Sequence, residues 1–158
     1  MNEELPTADD ILDETGFDAS ASVLTRRQAE VLALRERGYA QAAIADLLGT
    51  SRANISSIES TARDNVAKAR ETVAFADALA APVRIPFPEG TDLYDVPATV
   101  YDACDEVDVK VPYTAPDLMK VVNDAAGDAV EGREVRDDLL VSVTTDGTVR
   151  VRRQTDSD

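Results

Sequence analysis

Histidine and tryptophan are absent from this sequence of 158 residues, and cysteine occurs once, at Cys104. Without histidine the chain lacks the usual general base, and its single cysteine has no histidine partner to activate it. One cysteine also excludes an internal disulfide and a metal cage built from cysteines. The sequence contains neither a glycine-rich phosphate loop nor a Gly-Ser elbow. These absences disfavour an enzyme, and no pattern calls for a cofactor.

Long apolar runs are missing as well. No stretch approaches the roughly 18 residues of a membrane span, and the N-terminus lacks the charged-then-apolar pattern of an export signal. Aromatic residues make up only 4% of the chain, whereas hydrophobic residues reach 44%. Cores must therefore be built from Ala, Val, Leu and Ile. We expect a globular, cytoplasmic protein without a membrane partner, in one medium domain or two small ones.

Acidic residues outnumber basic ones 31 to 16, which gives a net charge of −15. Such a charge taken alone argues against nucleic acid, because phosphates repel an acidic surface. However, residues 1–24 carry −7, residues 25–70 carry +3 and the remainder carries −11, so only the middle segment could approach DNA without strong repulsion. The acids are mostly Asp (20 of 31) and the bases mostly Arg (13 of 16), a bias that favours a halophilic host.

Proline, glycine and charge divide the chain into segments. Residues 1–23 are acidic and rich in small residues, and we predict a flexible tail there with a weak turn of helix at 8–14. Residues 24–79 have a strongly helical pattern. Residues 80–90 hold three prolines and are predicted to be a linker that leads into a first strand. Residues 91–158 are predicted to form a small α/β domain with a C-terminal hairpin.

The predicted fold class is α+β, with an all-α helix-turn-helix domain of three to four helices before the small α/β domain. After a strand at 83–87, the second half is expected to contain further elements in the order helix, strand, helix, hairpin. These are a helix at 96–107, a strand at 109–113 made edge-like by its proline, a helix at 115–126, and hairpin strands at 139–144 and 148–152 around a two-residue Asp146-Gly147 turn.

Residues 24–79 carry the pattern of a helix-turn-helix. A first helix capped by Thr25 precedes a second helix of about eight residues, 41–48. Gly49 then turns the chain directly into a third helix capped by Ser51. That spacing projects the third helix from the surface of its domain.

The two faces of the third helix differ in chemistry. Ile55, Ile58 and Ala62 recur at steps of three and four and are predicted to pack inward. The opposite face has short polar groups and one long base, and we expect base-edge contacts from Arg52, Ala53, Asn54, Ser56 and Ser57. Arg52 can offer two donors to guanine and Asn54 can match adenine, although either could contact phosphate instead.

A second set of residues surrounds this helix in sequence and is expected to hold phosphates. It consists of Thr25, Arg26, Arg27, Gln41, Thr50, Ser51, Ser60 and Arg63. The basic members of the set could equally be solvated charges on helix surfaces.

Several stretches point together to one family: LTRRQAEVL at 24–32, IADLLGTSRANIS at 44–56, NVAKAR at 65–70, APV at 81–83, GTDLYDVP at 90–97 and EGR at 131–133. In them the chain resembles the Tfx family of archaeal helix-turn-helix DNA-binding transcriptional regulators. The first helices alone would also match sigma-like and LuxR-like domains, but the second half is more particular to this family. The resemblance implies a sequence-specific regulator of archaeal transcription whose second half is a regulatory or interaction module.

Double-stranded DNA is the predicted partner. A homodimer is one of two alternatives. Residues 61–79 either extend the third helix or form a fourth, and their apolar stripe either closes the core of the domain or packs against a second copy of the chain. A small-molecule or protein effector at the C-terminal domain also stays open. Its clustered acids do not match the calcium-loop spacing, so we predict no metal. The alternative function is a protein-binding adaptor, but the polar face at 51–60 lacks the apolar anchors that such helices present.

Overall fold

A computed structural model describes residues 7–154 and divides the chain into two units, Met1–Thr72 and Val73–Asp158. Helices occupy the first unit, and both sheets lie in the second. The helices are α1 (Ala8–Thr15), α2 (Arg26–Glu36), α3 (Gln41–Leu48), α4 (Arg52–Ala80), α5 (Val96–Glu106) and α6 (Ala115–Ala126). The strands are β1 (Val83–Phe87), β2 (Val130–Glu131), β3 (Glu134–Val135), β4 (Leu139–Val143) and β5 (Val149–Arg153). The units divide within α4, ahead of the proline-rich segment at 80–90.

The helix α1 lies within the predicted flexible tail, at the place where the sequence predicted a weak turn of helix, residues 8–14. Thr7 and Asp10 form a reciprocal capping box that starts it, and Gly16, at a φ of 73°, ends it. The side chains of Ile11 and Leu12 are buried, and Ile11 joins the core of the first unit. The predicted turn of helix is therefore present, but it is a capped helix of eight residues that is stabilised by packing, where the acidic composition had indicated a flexible segment. Residues 1–6 of the predicted tail lie outside the described residues.

The core of the first unit is built from aliphatic side chains on successive helices. Val31 and Leu34 of α2, Ile44 of α3 and Ile55 of α4 are each at most 2% exposed. Thr25 caps α2 by accepting a hydrogen bond from the Gln28 amide, as the sequence predicted. The apolar stripe after residue 61 extends the third helix, so that α4 runs unbroken for 29 residues.

The second unit packs two helices on an antiparallel sheet of strand order β1-β4-β5. Buried aliphatic residues from both layers fill its core, among them Val100 of α5, Leu118 of α6 and Val141 of β4, each 0% exposed. The proline of β1, Pro86, is tolerated because β1 is an edge strand. The predicted fold class, α+β with the helix-turn-helix region first, is confirmed. Within residues 7–154, no helix combines the length and apolarity needed to cross a membrane.

Two strand predictions in this unit need correction. Residues 109–114 form no regular strand. Asp108 adopts a φ of 57°, which turns the chain back toward α5. The Val109 amide therefore donates to the carbonyl of Cys104 at the end of α5, at 2.9 Å, and not to a neighbouring strand. The hairpin connection has three residues instead of two, because Thr144 and Thr148 form the last hydrogen-bonded pair.

The small ribbon of β2 and β3 was missed from the sequence. Its strands are two residues long, and they pair Val130 with Val135 and Glu131 with Glu134. The signal for it was Gly132, whose φ of 64° permits the tight turn between them. A two-residue strand carries too little alternation to be recognised by periodicity.

Candidate nucleic-acid interface

A tight turn joins α3 to α4. Gly49 adopts the left-handed conformation with a φ of 69°, and the Thr50 amide donates to the carbonyl of Ala45 at 3.0 Å, which closes the end of α3. Ser51 then accepts a hydrogen bond from the Asn54 amide at 3.1 Å through its hydroxyl, which caps α4. The turn is therefore the one that the sequence predicted, and the two helices it joins form a helix-turn-helix.

The first turns of α4 present two different faces. Ile55 and Ala62 are 0% exposed, and Ile58 is half-buried. The side chains predicted to contact base edges all lie on the exposed surface of these turns: Arg52, Ala53, Asn54, Ser56 and Ser57. Short side chains at these positions leave the helix backbone accessible. The arrangement matches the inward and outward assignment made from the helical period.

Arg52 is the long cation on this exposed face. Among residues 7–154, its side chain forms no hydrogen bond or ion pair. Asn54 donates one amide proton to the hydroxyl of Thr50 at 2.9 Å and retains its carbonyl oxygen and second proton. Arg52 can therefore form two parallel hydrogen bonds to a guanine edge, and Asn54 keeps a donor and an acceptor for an adenine edge.

The N-terminus of α4 also favours anions through its backbone. The first amides of a helix have no partner within the helix, and the aligned peptide dipoles place about half a positive charge there. In α4 one of these amides, that of Asn54, donates a hydrogen bond to the Ser51 hydroxyl. Thr50 and Ser51 lie at this terminus, and Ser60 is exposed two turns further along. These three of the residues predicted to contact phosphates thus lie on α4 or in the turn that precedes it.

Thr25, Arg26 and Arg27 lie at the start of α2, away from the tip of α4. The Gln28 side chain of that turn accepts a hydrogen bond from Asn65 at 3.5 Å. Asn65 is about 20 Å along the α4 axis from Arg52, given a rise of 1.5 Å per residue. The structure therefore does not bring these three residues together with the predicted base-contacting face.

Both arginines at the start of α2 already face carboxylates. Arg26 lies 2.7 Å from Asp9 and 3.5 Å from Glu30, and Arg27 lies 3.1 Å from Glu30. The hydrogen bond from Arg26 to Asp9 is the main cause of a raised pKa of Arg26. Each arginine keeps about half of its side chain exposed (52%). A phosphate at this position would thus compete with acidic side chains of the same chain.

The remaining two phosphate candidates, Gln41 and Arg63, meet at a carboxylate that sequence reasoning missed. Glu59 is only 6% exposed, and it accepts hydrogen bonds from Gln41 at 3.0 Å and from Arg63 at 2.9 Å. The Gln41 amide, together with the Arg63 guanidinium, holds the pKa of Glu59 below its usual value, although burial acts in the opposite direction. The available signal was its position, four residues after Ile55 on the inward face.

A helix-turn-helix whose second helix begins with an exposed polar face places this protein in the class of helix-turn-helix DNA-binding proteins. The comparisons with known families agree. A model described as Sigma-70, region 4 matches residues 22–68, and one described as DNA-binding protein, TFX, C-term matches residues 69–151. The chain belongs to the Tfx family of DNA-binding proteins. This result confirms the resemblance noted in the sequence.

Relatives from several archaea match most of the chain. One from Haloarcula marismortui, provisionally named a transcriptional regulatory protein, is 56% identical over 146 residues, which cover 92% of each chain. The DNA-binding protein Tfx of Methanothermobacter thermautotrophicus is 34% identical over 128 residues, 81% of this chain and 93% of the relative. A relative from Methanocaldococcus jannaschii, also provisionally named a transcriptional regulatory protein, is 38% identical over 130 residues, 82% of this chain and 95% of the relative. The Haloarcula relative agrees with the halophilic bias of the composition.

Proposed function

We propose that this protein is a sequence-specific transcriptional regulator that binds double-stranded DNA by placing the start of α4 in the major groove. The observation that carries the proposal is the exposed N-terminal face of α4, on which Arg52 is unpaired within residues 7–154 while Ile55 anchors the opposite face in the core. An α-helix fits the major groove, where each base pair presents a distinct pattern of donors and acceptors. The family membership and the name of the Methanothermobacter relative support DNA as the partner.

The residues divide into two proposed roles. Arg52, Ala53, Asn54, Ser56 and Ser57 read base edges, with Arg52 directed to guanine and Asn54 to adenine. The second set holds the phosphate backbone and fixes the register of α4 without reading sequence. It comprises Thr50, Ser51, Ser60, Gln41 and Arg63 near α4, with Thr25, Arg26 and Arg27 at the start of α2.

We infer a non-enzymatic, cytoplasmic regulator. Its DNA-binding domain, predicted at residues 24–79, also includes α1, and its second domain, predicted at residues 91–158, also includes β1. A homodimer would place two copies of α4 about 34 Å apart and would require a palindromic operator. A small-molecule or protein effector would act at the second domain.

A binding titration with matched arginine variants tests the proposal. A duplex is first selected by the wild-type protein from genomic fragments, and its affinity is then measured by fluorescence anisotropy over a series of salt concentrations. Arg52→Ala is expected to weaken binding to the selected duplex by about 1 to 3 kcal/mol, or roughly 5- to 150-fold, and to relax the preference for one base pair. Binding to unrelated duplexes should change much less.

The control is Arg84→Ala in β1. It removes the same charge from an exposed side chain that forms no ion pair within the described residues. We expect its affinity for the selected duplex to stay close to that of the wild type. The proposal fails if the wild type selects no sequence at any salt concentration, or if the two variants weaken binding equally. In the first case, a protein-binding adaptor becomes the better interpretation.

A further inference from the structure

A carboxylate on the inward face of α4 holds three helices of the first unit together. Glu59 shares that face with Ile55 and Ala62, and only 6% of it is exposed. A charged group that is withdrawn from water is costly unless it is paired and hydrogen-bonded. The function of this group therefore depends on which side chains pair with it.

The partners of Glu59 come from three helices. Its Oε1 accepts a hydrogen bond from Gln41 of α3 at 3.0 Å and lies 2.8 Å from the Nε of Arg35 of α2. Its Oε2 accepts a hydrogen bond from the Nε of Arg63 of α4 at 2.9 Å and lies 2.9 Å from the Nη2 of the same guanidinium. Arg35 is further held by donating from Nη1 to the carbonyl of Tyr39 at 2.9 Å. Both oxygens are thus surrounded by donors.

Two of these partners belong to the proposed phosphate-binding set. Gln41 is the first residue of α3, and Arg63 lies on α4 with 58% of its side chain exposed. We propose that Glu59 is a positioning residue for DNA binding, which fixes the Gln41 and Arg63 side chains and the placement of α3 against α4. This inference rests on the proposed function, and it adds a residue that itself touches no DNA.

Charge and positioning predict opposite effects when Glu59 is neutralised. Glu59→Gln removes one negative charge, so electrostatics alone would strengthen binding to a polyanion. The amide, however, replaces one acceptor oxygen with a donor group that faces the donors of Gln41, Arg35 or Arg63. If Glu59 positions the phosphate contacts, binding must weaken although the protein has become less negative. The direction of the change therefore separates the two explanations.

The matched control is Asp64→Asn, which removes the same charge from an exposed residue of the same helix. Within residues 7–154, Asp64 forms no hydrogen bond or ion pair through its side chain. Each variant is titrated against the selected duplex under conditions where circular dichroism shows that it is fully folded. We expect Asp64→Asn to bind as tightly as the wild type or slightly more tightly. Glu59→Gln should bind about tenfold more weakly, with a salt dependence reduced by about one phosphate contact.

A double-mutant cycle identifies the route by which Glu59 acts. Gln41→Ala is combined with Glu59→Gln, and the loss of affinity in the double variant should be smaller than the product of the two separate fold-changes. If Glu59→Gln does not fold, Glu59→Asp takes its place, since it keeps the charge and shortens the reach. The same weakening is expected from it.

The outcomes separate this inference from the proposed function. A folded Glu59→Gln protein that binds as tightly as Asp64→Asn, beside an Arg52→Ala protein that has lost its preference, overturns the positioning role and leaves the proposed function standing. A wild-type protein without sequence preference overturns both. Weakened binding by Glu59→Gln with the reduced salt dependence supports both.

Discussion

Replacement by alanine at two neighbouring residues of α4 should change the free energy of unfolding by very different amounts. Ile55 is 0% exposed in the core of the first unit, whereas Ser56 is exposed. Replacement of a buried isoleucine by alanine costs about 2 to 5 kcal/mol, because it removes apolar contacts and leaves a cavity. Ser56→Ala removes no buried contact and slightly favours the helix, so the free energy of unfolding should change by no more than about 0.5 kcal/mol.

Native-state hydrogen exchange measures this difference within the first unit itself. The amides of Ile44 and Ala45 in α3 are suitable reporters, since both residues are buried. A loss of 2 kcal/mol corresponds to exchange that is about 30-fold faster, and larger losses give proportionally larger factors. Ile55→Ala should accelerate exchange at these amides by at least that factor, and Ser56→Ala should leave it nearly unchanged.

The same pair of variants tests the geometry on which DNA recognition depends. If Ser56→Ala accelerated exchange as much as Ile55→Ala, the two faces of α4 would be assigned wrongly. Arg52 and Asn54 would then lose their outward position, and the proposed groove contact would fail with them. The reasoning is also refuted if Ile55→Ala leaves exchange in α3 unchanged, because the side chain could not then join α4 to the core.

Two further substitutions test other parts of the structure. Gly147→Ala should destabilise the second unit by more than about 1 kcal/mol in thermal unfolding, since φ is 86° and the added Cβ would overlap the carbonyl oxygen of Lys110. Gly132→Ala, at a φ of 64° but with open space around the added atom, should cost less, and an equal cost would contradict the steric argument. Asp9→Asn should raise DNA affinity by about twofold at low salt, because it frees Arg26 from a partner at 2.7 Å, and the gain should vanish in concentrated salt. An unchanged affinity at low salt would show that Arg26 does not contact DNA.

The helix-turn-helix could be predicted from the sequence because its signals are local. Thr25 and Ser51 each accept a hydrogen bond from an amide three residues later, and Gly49 supplies a left-handed turn. Helical spacing then assigned Ile55 to the core and the neighbouring polar residues to the surface. Each of these signals depends on residues within a few positions of one another, so no long-range information was required.

The carboxylate network could not be found in this way because its members are distant in sequence. Gln41 and Glu59 are 18 residues apart, and Arg35 lies on yet another helix. A glutamate in a helix followed four residues later by an arginine is normally a solvated surface pair. The position of Glu59 four residues after Ile55 indicates the inward face, but only the packing of three helices shows that Gln41 and Arg63 bind it.

The errors in the second unit have a related cause. Val109, Val111 and Tyr113 alternate as a strand would, but a strand also needs a partner to accept its backbone bonds. The Val109 amide instead bonds to the end of α5, and the hydroxyl of Tyr101 donates to the carbonyl of Tyr113 at 2.6 Å. Which segments pair into a sheet is decided by contacts far apart in the chain, and alternation alone does not contain that information.

The distribution of charge explains why a protein with a net charge of −15 can still present a surface suited to DNA. Several arginines of the first unit lie beside carboxylates, as with Arg26 and Asp9 at 2.7 Å or Arg37 and Glu14 at 3.7 Å. In concentrated salt the Debye length falls to about 3 Å at 1 M, so distant acidic side chains hardly repel a phosphate. Recognition must then rest on groups in direct contact. Under such conditions, we expect the shape of the short side chains and Arg52, which has no partner within residues 7–154, to matter more than the overall charge.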